Sequence, residues 1–325
     1  MRNVRLLTVL ALTLTAIPLG AEVKGQIIEE RAGPLPCEAA SQYVPIWTHA
    51  PVLVLASNEA YPPQSAEWFV ANSSLKQNES RIPNIPLVAG LIAFFDNGQE
   101  LLFRKGEIPR GELANPRYQD SRPATVAEDG FFLDLDVPNS MLKLGFDPPT
   151  EDYRFPPVYY EYEPCKTVTY WFFYPKSETE GVAHEGDWER LVLTLDAGSN
   201  KPTAVRYHQH NHSIQIPWQA LPTPPLFGNH PVVFVGTGSH AGYPEPGAIG
   251  LLWSKCFASF FCDTTARLTV ADGIDLGSPY SWRTSFRLVD ATETFWYGFG
   301  GAWGTVGNIE FQTGPTGPGS ADKTR

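Results

Sequence analysis

Residues 184–189 read His-Glu-Gly-Asp-Trp-Glu, and the strand-like run RLVLTLD follows directly at 190–196. If extended geometry begins at Asp187, alternation puts Asp187, Glu189, Leu191, Leu193 and Leu195 on one face. Trp188, Arg190, Val192 and Thr194 take the other. Two carboxylates then stand at the end of a leucine-lined row that faces a core. A buried carboxylate must be paired or must coordinate a metal, because a stranded charge costs several kcal/mol. His184 lies at a turn that Gly186 permits, where it can point into the same space. His184, Asp187 and Glu189 are therefore the candidate ligands of a divalent cation, with Ca or Mg favoured over Zn, or an acid–base group. The structural alternative has Asp187 capping the turn and Glu189 paired with an arginine. A zinc-protease helix is excluded: its second histidine would fall at 188, where this chain has Trp188.

Two polar clusters follow downstream. Arg206, His208 and His210 share parity in VRYHQH and would face one side of a continuing strand. Pro231 to Val235 runs into Gly236-Thr237-Gly238-Ser239-His240, a glycine-rich exit that lets backbone approach a ligand. His208, His210, Ser239 and His240 are the candidate ligand-binding residues, while His212 and His230 read as structural. No G-x-S-x-G frame surrounds Ser239, so acyl transfer from it is disfavoured.

The elements that must position these groups read mostly as strands. Apolar or alternating runs occupy 51–57, 87–95, 131–137, 167–174, 190–196, 203–209, 231–235, 266–270, 285–289 and 308–312. Asp96-Asn97-Gly98 is a hairpin-type turn. The best helix is Ser65 to Leu75, and it is short. With 30 prolines and 28 glycines there is little room for long helices. The pattern predicts a mostly β, single-domain, β-sandwich-like fold with few short helices. Its expected bounds are 47–312, after an N-terminal extension at 22–46 and before an unstructured tail at 313–325. The aromatic run 295–304 (FWYGFGGAWG) would serve either as core or as a stacking platform for sugars or lipid headgroups.

Arg2 and Arg5, the apolar run 6–19, and the small residues Gly20 and Ala21 have the layout of a secretory signal peptide over 1–21. The apolar run is shorter than the roughly 20 residues of a membrane span, and no later stretch is long enough, so no transmembrane segment is expected. The expected location is outside the cell, or the vacuole or cell wall by the same route. Cys37, Cys165, Cys256 and Cys262 form an even set with three possible pairings. Cys256–Cys262 with Cys37–Cys165 is favoured because the first pair closes a short loop. Asn72, Asn78 and Asn211 head glycosylation sequons. A net charge of −11 argues against nucleic acid and against simple adhesion to anionic lipid.

His184-Glu185-Gly186-Asp187-Trp188-Glu189 before a strand resembles the His-x-Gly-Asp-Trp-Glu hallmark of the vacuolar protein sorting-associated protein 62 family. Further likenesses follow in order. Ala50-Pro51-Val52 through Glu59, Pro62 and Trp68 resembles that family's opening segment, and Trp171-Phe172-Phe173-Tyr174-Pro175 its aromatic strand. Gly238-Ser239-His240-Ala241 with Tyr243-Pro244, and Gly301-Ala302-Trp303-Gly304, complete the set. The resemblance covers roughly residues 47–304 and implies a role in vacuolar sorting without a defined activity. A more distant likeness joins Asp187-Trp188-Glu189 to the heptad of the necrosis- and ethylene-inducing peptide-like proteins, secreted β-sandwich cytolysins. It implies a divalent cation on the acids and a histidine, although Gly186 stands where that family has His.

Three functional readings emerge. The first is a secreted binding protein with cation-assisted recognition of a glycan or lipid headgroup, lectin- or toxin-like. The second is a metal-dependent hydrolase using the His/Asp/Glu pocket. The third is a sorting factor without catalysis.

Overall fold

A computed structural model describes residues 45–55, 59–80, 98–142, 156–179, 182–209, 212–221, 226–246, 281–283 and 287–320. In chain order the elements are α1 (Pro45–Thr48), β1 (Val52–Val54), α2 (Ala66–Ala71), β2 (Ser73–Glu79), β3 (Gly98–Phe103) and β4 (Gly130–Leu135). Next come β5 (Val158–Glu163), β6 (Thr167–Thr179), β7 (Val182–Leu195), β8 (Pro202–Gln209) and β9 (His212–Pro217). The remainder are β10 (Leu226–Phe227), β11 (His230–Val235), β12 (Gly242–Tyr243), β13 (Ser281–Arg283), β14 (Leu288–Asp290) and β15 (Ala302–Trp303). The fold is mostly β and sandwich-like, as the sequence pattern predicts.

Among the described residues the strands form three sheets. A central sheet runs β14-β5-β6-β7-β8-β9, a second β10-β11-β1-β13 with β12 on β11, and a third β15-β4-β2-β3. The long β6–β7 hairpin is the spine. Its side chains alternate between two separate cores, which is why TVTYWFFY in β6 reads as an unbroken apolar run. Val168, Tyr170, Phe172, Tyr174, Leu191, Leu193 and Leu195 pack with Leu53, Val233 and Val235 of the second sheet. Trp171, Phe173 and Trp188 face the other way, onto Phe69 of α2 and Leu75 and Leu133 of the third sheet. Half of the central sheet is thus covered on both faces.

Several expectations need correction. The helix predicted over 65–75 ends at Ala71: Ser65 caps it by accepting from the Trp68 N–H at 3.2 Å, and the chain turns at Asn72 into β2. Leu75 therefore fills the core from a strand. At 308–312 the expected strand is a single 3-10 turn at Glu310–Gln312. The tail is ordered through Ser320, with Thr313, Thr316 and Ser320 buried. Its glycines are the reason. A Cβ at Gly314 would lie 2.1 Å from the Trp303 carbonyl oxygen, and one at Gly317 would lie 2.5 Å from the Trp303 indole nitrogen. Absence of side chains here permits close packing rather than preventing it. Residues 321–325 and the expected strands at 87–95 and 266–270 lie outside the described residues, as do 1–44.

The aromatic run also resolves toward the interior. Trp296, Phe299 and Trp303 are fully buried, and Trp303 meets Trp188 edge-to-face at 5.2 Å and Trp296 at 5.5 Å. These three rings fill the core, while Phe295 and Tyr297 stay half-buried against it. Asn78 is likewise unavailable to a glycan. It is fully buried, and its amide nitrogen, the glycosylation atom, donates to the carbonyls of Val126 at 3.1 Å and Glu128 at 2.6 Å. Asn72 is half-buried, and Asn211 lies outside the described residues. Cys165 is disulfide-bonded; its expected partner Cys37, like Cys256 and Cys262, lies outside them.

Candidate functional site

The site begins with a glycine. Gly186 holds a left-handed φ of 63°, and a Cβ there would stand 2.0 Å from the Trp303 carbonyl oxygen. Gly304 mirrors it, with Glu185 O only 2.1 Å from its Cβ position. The Ala302–Gly304 segment thus crosses β7 backbone to backbone at Glu185–Gly186, where no other residue pair fits. Beyond this crossing β7 is regular, and Asp187 (7% exposed) and Glu189 (9%) turn inward on the leucine face, as alternation requires.

The partner of Asp187 comes from the turn after β11. Gly236 N donates to Ala241 O and His240 N to Gly236 O, both at 2.9 Å. Gly238 and His240 both take left-handed φ values, 72° and 61°. A non-glycine residue in that region is strained and calls for compensation. The compensation is visible. The His240 ring stacks on Tyr174 at 3.9 Å and 7°, and its Nδ1 lies 2.8 Å from Asp187 Oδ2. Its Nε2 lies 3.5 Å from Glu59 Oε1, an ion-pair distance without hydrogen-bond geometry.

Glu59 completes the chain of charges. Its Oε2 accepts from Gly238 N and its Oε1 from Tyr61 N, each at 2.8 Å. The same turn is tied to β6, because Gly238 O accepts from Glu178 N at 2.8 Å and Ser177 Oγ at 3.1 Å. His240, Asp187 and Glu59 are all buried. Burial pulls the imidazole pKa down, but the two facing carboxylates outweigh it and lift His240 to about 9. Burial pushes Glu59 up, and the imidazolium with the two backbone N–H donors more than reverses it, leaving its pKa lowered. The arrangement is an imidazolium held between two carboxylates.

The other candidates fall elsewhere. His184 Nδ1 lies 2.8 Å from the Gly186 carbonyl oxygen, on its own strand rather than on Asp187. Among the described residues no group of three or more His, Cys, Asp or Glu is arranged to hold a metal ion. Asp187 instead faces the His240 imidazole. His208 lies on the opposite face of β8 from the core residues Val205 and Tyr207. Its pKa is pushed down to about 4 by burial and then by Arg190 and Arg206. Ser239 is buried with its hydroxyl unpartnered, 2.8 Å from where a Cβ on Gly236 would stand. His210 lies outside the described residues. His230 is structural as expected: its Nδ1 lies 2.7 Å from Ala50 O.

One residue escaped the sequence reading as a site group. Glu59 stands in the segment quoted for its family likeness, as an acid between the apolar run 51–55 and buried Tyr61. That position in a buried stretch was the available signal.

A second acidic feature borders the crossing. Glu185 Oε2 accepts from Leu135 N at 3.1 Å. Burial, with Asp134 and Asp136 nearby and opposed by backbone donors, raises its pKa to about 7.

Comparisons with protein-family models and with curated proteins find no match. The resemblance to the vacuolar protein sorting-associated protein 62 family therefore rests on the motifs alone. Among solved structures there is a match to necrosis and ethylene inducing protein 2 from the causal agent of witches' broom disease of cocoa. It is 22% identical, with a TM-score of 0.19, and covers 24% of this chain and 36% of that one. At that score the likeness is local and carries no argument about fold or function.

Proposed function

We propose that this chain is a secreted, non-catalytic binding module for carbohydrate, free or as a lipid headgroup. The observation that carries the reading is the state of His240. A general base must have a free nitrogen to accept a proton, within reach of substrate. Here one nitrogen is bonded to Asp187, the other faces Glu59, and the ring is 1% exposed. A histidine raised to about 9 is already protonated at neutral pH. The constellation holds the 236–241 turn, the Glu59 loop and β7 in one rigid arrangement, and rigidity of this kind favours binding by lowering its ordering cost. The imidazolium supplies one positive charge to the two carboxylates that face it, Asp187 and Glu59.

The test is a glycan and glycolipid array on the secreted protein, with and without chelator, beside turnover assays on small esters and glycosides. Retention that ignores chelator, without turnover, is the expected result. Turnover abolished by His240→Gln overturns the reading in favour of a hydrolase.

A further inference from the structure

A cavity of about 300 Å³ opens between the 120–128 segment and the tail, lined by Asp120, Arg122, Glu128, Thr316 and Ser320 with Gly300 in its wall. It contains none of the residues of the buried imidazolium site. We propose that this cavity binds the neutral, hydroxyl-rich end group of a glycan, a single uncharged hexopyranose. The proposal rests on the carbohydrate-binding reading and gives it a place.

The wall is built rather than incidental. Gly300 N donates to Tyr118 O at 3.1 Å, and Ser121 N donates back to Gly300 O at 3.2 Å. A Cβ on Gly300 would stand 2.6 Å from Asp120 N and 2.8 Å from Tyr118 O. This close packing holds Asp120 at a left-handed φ of 51°, a conformation that non-glycine residues adopt at a cost and that recurs at ligand sites. On the opposite side the ordered tail forms the wall, pinned by Arg122. Its Nε donates to Gly314 O at 2.8 Å and its Nη2 to Thr313 O at 3.2 Å. Thr313 Oγ1 adds a bond to Ala124 O at 2.9 Å.

The chemistry of the lining selects the ligand class. The Arg122 side chain is only 10% exposed, and Glu310 lies 3.8 Å from its Nη1, so its charge is turned into the wall. The carboxylates of Asp120 and Glu128 belong to exposed residues at the mouth. A mouth of that sign repels phosphate, sulfate and uronate, and it accepts hydrogen bonds from neutral hydroxyls. Thr316 and Ser320, both buried, add hydroxyl groups to the lining. The volume lies at the small end of the roughly 300–1,000 Å³ seen for small-molecule sites, which suits one sugar ring and not a chain of them.

The experiment is ligand-observed NMR titration of the full secreted protein with methyl glycosides of glucose, galactose, mannose and N-acetylglucosamine. Methyl glucuronide and inorganic phosphate serve as anionic counterparts. At least one neutral glycoside should bind in the millimolar range. Asp120→Asn and Glu128→Gln, both at exposed positions, should each weaken it about tenfold, the effect of losing a charge-assisted acceptor. Glu163→Gln, at the exposed end of β5 and outside the cavity lining, should leave binding unchanged. Glycoside binding that survives both cavity variants overturns this site while leaving the carbohydrate module standing. Stronger binding of glucuronide or phosphate overturns the neutral-sugar assignment. No glycoside binding by the parent overturns the site; blank glycan and glycolipid arrays as well would remove the module reading with it.

Discussion

Raising the pH from 6 to 10 should unfold this protein's charge staple in a measurable way. His240 has an ordinary pKa of 6.5, raised in the fold to about 9. A raised folded-state pKa means that the native state binds the proton more tightly than the unfolded chain. The stabilisation is therefore fully present below about pH 6.5 and is lost as pH climbs through about 9. The shift corresponds to about 3 kcal/mol, a large part of the roughly 5–15 kcal/mol that holds a typical domain together. For a chain of this size that is on the order of 5–10 °C in melting temperature. The assay is chemical denaturation at intervals across this range, on the parent and on His240→Gln. The variant leaves Asp187 and Glu59 buried without their cation, so it should lose about 3–5 kcal/mol at neutral pH. It should also lose the slope between pH 6.5 and 9. A parent whose stability is flat across that window, or a variant that keeps the slope, would mean that His240 carries no proton-linked stability between the two carboxylates.

Three further outcomes follow from the same geometry. Glu185 is an acid whose folded pKa is raised to about 7, so its stabilisation is present below about pH 4.5 and fades by about pH 7. Glu185→Gln should flatten that lower limb in denaturation curves and leave the upper, His240 limb untouched. Gly186→Ala must fit a methyl group 2.0 Å from a backbone oxygen at positive φ. A loss above about 3 kcal/mol is expected, and a loss below about 1 kcal/mol would mean that the Trp303 crossing is wrong. Glycopeptide mass spectrometry of material secreted from a eukaryotic host should find Asn78 bare, since its amide nitrogen is spent on two buried carbonyls; a glycan there would contradict the burial.

Much of β7 was legible because alternation is a strict rule. Asp187, Glu189 and the three leucines do share the buried face. The same rule, carried three residues back from Asp187, places His184 with Gly186 and Trp188, away from Asp187. Expecting a turn at Gly186 concealed this, because the pairing of β7 with β6 continues past that glycine despite its left-handed φ. His240 was picked out by its glycine-rich setting, yet its pairing with Asp187 spans 53 residues, and nothing local encodes such a distance. Glu59 reaches Gly238 across 179 residues, farther still. The double-sided burial of β6 was latent in its unbroken aromatic run, which alternates between two cores. The tail was misread because glycine-rich composition signals disorder only when nothing demands the missing side chains. Here Trp303 and Trp188 demand it.

His240 as a buried imidazolium between two carboxylates at physiological pH acts as a staple rather than a base. Nitrogen NMR of the ring on protein labelled at histidine reads this directly. At about pH 7.5 two protonated ring nitrogens are expected for His240, with deprotonation centred near pH 9. A neutral tautomer at about pH 7.5, with one unprotonated nitrogen available to accept a proton, would contradict it and restore His240 as a candidate catalytic base.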